Sequence, residues 1–212
     1  MLYARDEKGG RVRATTAARA SCPQCRATVI AKCGEHVIHH WAHKSSEDCD
    51  AWSEGETAWH LEWKQRFPAC RTEVVMGDHR ADVVGVNGCV LEIQHSALSS
   101  EVIREREAFY GNMVWLWDAR SFWERISVRH GRMFTWTQWR PTMGACSLPI
   151  FLDFQTVRRA RGVLFRIDRL ERAEWQSKDS ASTWTSTRGD GEYVKTGDFV
   201  TDINWKRPEV LV

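Results

Sequence analysis

The 212-residue chain contains no apolar run long enough to span a bilayer, and its first residues, MLYARDEKGGRVRATT, lack the hydrophobic core of a signal peptide. The expectation is a cytoplasmic protein with no membrane partner. Charge of one sign is also missing: 30 Lys and Arg against 28 Asp and Glu leave a net charge of +2. Global charge therefore does not announce nucleic-acid binding, and any basic surface has to be local. The composition of a disordered chain is absent too, since 42% hydrophobic residues suffice for a substantial core in one domain with a small appendage. Seven cysteines, an odd number, do not suit a disulfide framework. Two of them stand as Cys22-x-x-Cys25 beside a histidine cluster, which points to metal ligation in a reducing compartment. What is abundant is tryptophan, with twelve residues. They are expected to fill the core and the space between layers, ahead of stacking on nucleic-acid bases.

Three stretches follow one another, with expected boundaries at 1–50, 51–120 and 121–212. In the first, CPQC and HHWAHKSSEDC flank two short β-rich runs around Gly34. A ligand pair at each end is how a small zinc ribbon closes over a core too small to stand alone. Cys22, Cys25, His40 and His43 are the expected ligands of a structural Zn²⁺, because two x-x-spaced pairs each let one tight turn present both donors. Cys49 is the alternative to His40, and Cys33 and His39 are weaker substitutes.

The second stretch reads as helix, hairpin, helix, strand. In EGETAWHLEWKQRF, Glu56, His60 and Lys64 are spaced four apart on one helical face, beside an apolar stripe of Trp59, Trp63 and Phe67. In HRADVVGVNGCVLEIQHS, a two-residue turn at Asn87-Gly88 would place Asp82 and Glu92 on opposite faces. A three-residue loop, Val86 to Gly88 with Gly88 left-handed, instead sets Asp82 opposite Glu92 with Cβ atoms about 5 Å apart. Gln94 then shares the face of Glu92. Two facing carboxylates repel unless a cation lies between them, so a divalent metal is the natural occupant, and replacing either acid by its amide is expected to leave stability unchanged or improved. SSEVIREREAFYGN reads as a helix from Ser99 to a Gly111 C-cap, followed by the strand MVWLWD.

Taken in order, CPQC, HWAH, Glu56, His60, Lys64, Arg80, Asp82, EIQ, Ser96, Arg106, Tyr110 and VWLW resemble the competence protein CoiA family over roughly residues 20 to 118. That family resembles PD-(D/E)XK nucleases. The resemblance implies an α/β fold with a restriction-endonuclease-like core, a mixed sheet flanked by helices, carrying the N-terminal zinc ribbon and a β-rich C-terminal extension. It implies Mg²⁺ or Mn²⁺ held by Asp82 and Glu92, with Glu56 as the helix acid of related nucleases and Gln94 in the place of the signature lysine. Gln94 can orient a water through its amide but supplies no positive charge. Lys64 is the expected source of that charge, and His60 the expected general base or orienting group.

In the third stretch RMFTWTQW, PIFLDF and VLFRIDRL read as strands, and the Ser, Thr, Asp and Gly-rich run from about Gln176 to Asp198 reads as mobile loops. Arg158, Arg159 and Arg161 offer a basic cluster for phosphates. The expected function is a metal-dependent DNA nuclease acting on single-stranded or branched DNA in uptake, recombination or defence. The alternative is a non-catalytic zinc-containing DNA-binding factor on the same fold.

Overall fold

The computed structural model describes residues 1–44, 49–52, 55–138, 141–155, 162–176 and 183–201. Arg158, Arg159 and Arg161 lie outside the described residues. The chain forms two compact units, Met1–Gly85 with Val90–Glu92, and Val86–Cys89 with Ile93–Val212. Among the described residues no helix is long and apolar enough to cross a membrane.

The first unit opens with five short strands, β1 (Tyr3–Arg5), β2 (Arg11–Arg13), β3 (Ala20–Ser21), β4 (Thr28–Lys32) and β5 (His40–His43), in an antiparallel sheet of order β2-β1-β3-β4-β5. Its core is small: Met1, Ala4, Ala14, Ala20, Cys22, Val29 and Trp41. A core of this size is the kind that a bound metal completes. Helix α1 (Ala58–Lys64) follows and buries the expected stripe of Trp59, Trp63 and, just beyond its end, Phe67. The helix is shorter than its spacing pattern suggests. Thr57 caps it by accepting from the His60 amide at 3.3 Å, so Glu56 lies before the cap and outside the helix. His60 and Lys64 share a helical face, whereas Glu56 reaches the same place from the incoming chain.

Strands β6 (Thr72–Met76), β7 (His79–Val84) and β8 (Val90–Gln94) come next. In the β7–β8 hairpin Val83 pairs with Leu91 and Val84 with Val90, and Gly88 has φ +77°. This is the register of the three-residue loop. Continued by one residue, it sets Asp82 opposite Glu92. The Asn87 side chain accepts from the Cys89 amide at 3.0 Å, which stabilises the turn locally.

In the second unit α2 (Ser100–Tyr110) is capped by the Ser99 hydroxyl at one end and by Gly111, φ +65°, at the other, as its sequence predicts. Six strands, β9 (Met113–Asp118), β10 (Ile126–Arg129), β11 (Met133–Thr137), β12 (Ile150–Asp153), β13 (Val163–Gln176) and β14 (Thr183–Lys195), are ordered β10-β11-β14-β13-β12-β9. β9 and β12 pair in parallel, whereas β10 with β11, β11 with β14, β12 with β13 and β13 with β14 pair antiparallel, so the sheet is mixed and the protein is α/β. Residues 183–195, expected as loops, are strand β14, with helix α3 (Thr196–Thr201) after it. The glycines there serve close approach, because a Cβ on Gly189 or Gly191 would lie 1.8 Å from the Arg169 carbonyl oxygen or 2.2 Å from that of Arg166. Of the tryptophans, Trp41, Trp59, Trp63, Trp115, Trp117 and Trp136 are buried, in keeping with a core role.

Candidate functional site

Two clusters of metal-ligating side chains stand in the first unit. The first gathers Cys22, Cys25, His43 and Cys49, whose donor atoms all lie within 4.8 Å of one another. The Cys22 and Cys49 sulfurs are 3.9 Å apart, and Cys25 Sγ is 3.4 Å from His43 Nε2. A tetrahedron with Zn–S of about 2.3 Å and Zn–N of about 2.05 Å has edges of roughly 3.8 and 3.6 Å, so the spacing suits zinc. It is far too long for a disulfide, and all seven cysteines, three in this group and four outside it, are free thiols. The tight turn after Cys22 sends the Gln24 amide to the Cys22 sulfur at 3.3 Å and puts Arg26 at φ +66°.

His40 does not join them; its Nδ1 donates to the Ile38 carbonyl at 2.8 Å. The reason is strand parity. His40 and His43 occupy one strand, three residues apart, and odd separations point to opposite faces. Cys49, the alternative to His40, completes the set. Burial would raise the Cys25 thiol, but the Ala27 amide and the neighbouring sulfurs bring it below its ordinary value. Burial pushes Cys49 up to about 11. His43 is held below its ordinary value by burial and by the Arg80 charge, which favours the neutral imidazole that ligates a metal.

The second cluster is Glu56, His60 and Asp82, again with donor atoms within 4.8 Å. His60 Nε2 donates to Asp82 Oδ2 at 2.9 Å, and Lys64 Nζ lies 2.8 Å from Asp82 Oδ1. The same ammonium bonds to Glu56 and, at 3.3 Å, to Glu73 Oε1. Its three donors thus meet three carboxylates, in a side chain only 2% exposed. Lys64 is thus the cation that offsets Asp82, Glu56 and Glu73. Burial would raise Asp82, yet the charges and hydrogen bonds of His60 and Lys64 hold it well below the usual carboxylate range. Glu56 is likewise depressed, burial being outweighed first by Lys64 and then by the Met1 α-ammonium, with which it forms an ion pair. Burial alone would lower Lys64, but Asp82, Glu56 and Glu73 raise it. The expectation that removing Asp82 relieves repulsion does not hold, because Asp82 is a neutralised carboxylate.

Glu73 was not legible as part of this group. Its φ is +53° within β6, its side chain is fully buried, and its carboxylate accepts from the Leu2 amide at 2.7 Å and the Tyr3 amide at 3.0 Å. A left-handed backbone at a non-glycine residue costs about 1–2 kcal/mol and is held here by those bonds. Glu92, 5% exposed, faces Asp82 by register but is not one of the three converging donors.

Gln94, at the end of β8 in the second unit, donates through Nε2 to the Ser96 carbonyl at 2.9 Å and accepts at Oε1 from Arg106 Nη1 at 3.4 Å. Arg106 is buried on α2 and already supplies a cation at this position. A lysine in place of Gln94 would set two buried like charges side by side, whereas an amide accepts the guanidinium.

Residues 11–52 match the family model described as the competence protein CoiA, N-terminal domain. These residues are similar to that domain. The matched span takes in Cys22, Cys25, His43 and Cys49 and ends before Glu56, so it covers the first cluster and not the second. The similarity to the competence protein CoiA is thus confined to residues 11–52. No curated protein and no solved structure matches the chain.

Proposed function

We propose that this CoiA-like protein is a divalent-metal-dependent deoxyribonuclease built on a restriction-endonuclease-like core, and that it cuts single-stranded or branched DNA in uptake, recombination or defence. The observation that carries the reading is the convergence of Glu56, His60 and Asp82, beside a hairpin whose Val83–Leu91 register, continued by one residue, sets Glu92 opposite Asp82. Oxygen donors suit Mg²⁺ or Mn²⁺, and an imidazole in the set favours Mn²⁺. A divalent ion there would polarise a scissile phosphate and lower the pKa of a bound water. His60 holds Asp82 in place and fixes its own imidazole against it, and Lys64 gathers Glu56, Glu73 and Asp82 into one acidic pocket.

One observation favours the second reading, a non-catalytic DNA-binding factor. Lys64 and Arg80 offset much of the charge of Glu56, Glu73 and Asp82, so the cluster stands without a metal. DNA binding and cleavage measured together separate the two. Cleavage that needs Mn²⁺ or Mg²⁺ and is lost in Asp82→Asn supports the nuclease, and binding at low salt without cleavage by the wild type supports the binding factor.

A further inference from the structure

The Cys22, Cys25, His43 and Cys49 cluster and the carboxylate cluster are joined by specific bonds. Asp50 directly follows Cys49 and is buried. Its Oδ1 accepts from His79 Nδ1 at 2.8 Å and from the Trp52 amide at 2.9 Å, and its Oδ2 accepts from the Arg80 amide at 2.8 Å. His79 and Arg80 begin β7, and Asp82 lies two residues further on. The Trp52 ring stacks on His79, with centroids 3.3 Å apart and planes within 4°. From the other knuckle, Gln24 Nε2 donates to the Gly77 carbonyl at 3.3 Å in the turn between β6 and β7. Both knuckles therefore grip the hairpin that presents Asp82. A third link passes through β5, where Trp41 donates to the Met1 carbonyl at 2.7 Å, and the next two amides, of Leu2 and Tyr3, end on Glu73.

The Asp50 carboxylate thus anchors the first two residues of β7, which also pair with Met76 and Val75 of β6. The backbone of β7 is short and buried from Ala81 to Val83, so a displacement at Arg80 reaches Asp82 with little relaxation between. Hydrogen bonds to a buried charged acceptor are stronger than those between neutral groups, enough to decide between two nearby positions of a strand end.

We propose that the Cys49-Asp50 segment positions β7, and through it Asp82, so that zinc held by the four-residue cluster controls the geometry of the carboxylate site. Asp50 is a positioning residue in this scheme. The proposal rests on reading Glu56, His60 and Asp82 as a divalent-metal site, and its test separates the two ideas by a readout that needs no second metal.

The full-length chain is compared as wild type, Asp50→Ala, Asp50→Asn and His79→Phe. Zinc content, the ¹⁵N shift of the His60 Nε2 that donates to Asp82, and Mn²⁺ affinity by titration are measured on each. Asp50→Ala is expected to keep its zinc and a cooperative melt, to move the His60 shift toward that of Asp82→Asn, and to weaken Mn²⁺ by at least about tenfold, the usual effect of losing an outer-shell partner. Asp50→Asn is expected to restore both in part, since its amide can accept from the Arg80 amide and donate to the other tautomer of His79 but loses the bond from the Trp52 amide. His79→Phe keeps the stacking partner of Trp52 and serves if Asp50→Ala does not fold; it should move the His60 shift in the same direction by less. Zinc removed from the wild type by a chelator should reproduce the Asp50→Ala shift. An unchanged His60 shift in zinc-loaded Asp50→Ala and in the zinc-free wild type overturns the proposal, as does loss of zinc from folded Asp50→Ala, which would make Asp50 a support of the knuckle alone. Wild type that binds no Mn²⁺, with the His60 shift still following Asp50, contradicts the nuclease reading and supports the coupling.

Discussion

The ammonium of Lys64 stands 2.8 Å from the Asp82 carboxylate, and neither group is exposed. Lys64 also bonds to Glu56 and Glu73, so one buried cation holds three acids from three separate segments of the chain. Removing the cation should therefore cost far more than removing one acid. Lys64→Met is expected to destabilise by about 3–5 kcal/mol, the range for leaving buried charge uncompensated, and Asp82→Asn by about 1–2 kcal/mol because Lys64 keeps two partners. Denaturant melts of the two variants check the order. Equal losses would mean that the three acids do not share Lys64.

Acid stability follows from the same group. Asp82 and Glu56 both titrate below the ordinary carboxylate range when folded, Asp82 chiefly through His60 and Lys64 opposing its burial, Glu56 chiefly through Lys64 opposing its burial. The unfolded chain takes up these protons first, from about pH 4 downward. Their contribution is complete above that pH and is lost as pH falls toward the folded values. Chemical melts from pH 7 to pH 3 should show this fall set in near pH 4, beyond the separate loss as unfolded His43 takes up its proton near pH 6.5. In the Asp82→Asn protein that fall should be shallower. A slope identical to wild type would show that Asp82 is not depressed.

Zinc should number one per chain, and its loss should follow Cys49 and not His40. Cys49→Ser is expected to lower bound zinc well below one equivalent and to loosen the region around β3 to β5, while His40→Ala keeps a full equivalent. Elemental analysis of protein purified without added zinc checks both. The opposite pattern would restore the His-x-x-His arrangement.

At Gln94 the sign of the introduced charge should decide the outcome. Gln94→Lys sets a cation against buried Arg106 and is expected to cost about 2 kcal/mol or more, whereas Gln94→Glu gives Arg106 an anionic acceptor and is expected to be tolerated at neutral pH. Thermal melts of the pair at pH 7 provide the comparison, and a Gln94→Lys protein as stable as wild type would remove Arg106 as the local cation.

Much of this was legible because it depends on local rules. The caps at Ser99 and Gly111 bound α2 through side chains and φ angles that the sequence states directly. The register of β7 and β8 followed from asking which loop sets two acids on one face, and Val83 opposite Leu91 is that register. The fourth ligand, Cys49, was less legible, since it depended on knowing that HWAH is a strand and not a turn. Glu73 was not legible at all: its role comes from a left-handed backbone inside a strand and from amides seventy residues away in sequence. The run after 183 was misread because glycine usually marks turns, and here two glycines admit a neighbouring carbonyl instead.

The most direct test of the central claim is cleavage of end-labelled single-stranded and branched DNA by wild type and Asp82→Asn in parallel, with Mn²⁺, with Mg²⁺ and with chelator, alongside DNA affinity at the same salt. The account predicts phosphodiester cleavage by the wild type only when a divalent ion is present, a loss of about 100-fold or more in Asp82→Asn, and retained DNA binding in the variant. Absence of metal-dependent cleavage by the zinc-loaded wild type, or equal cleavage by Asp82→Asn, would contradict it.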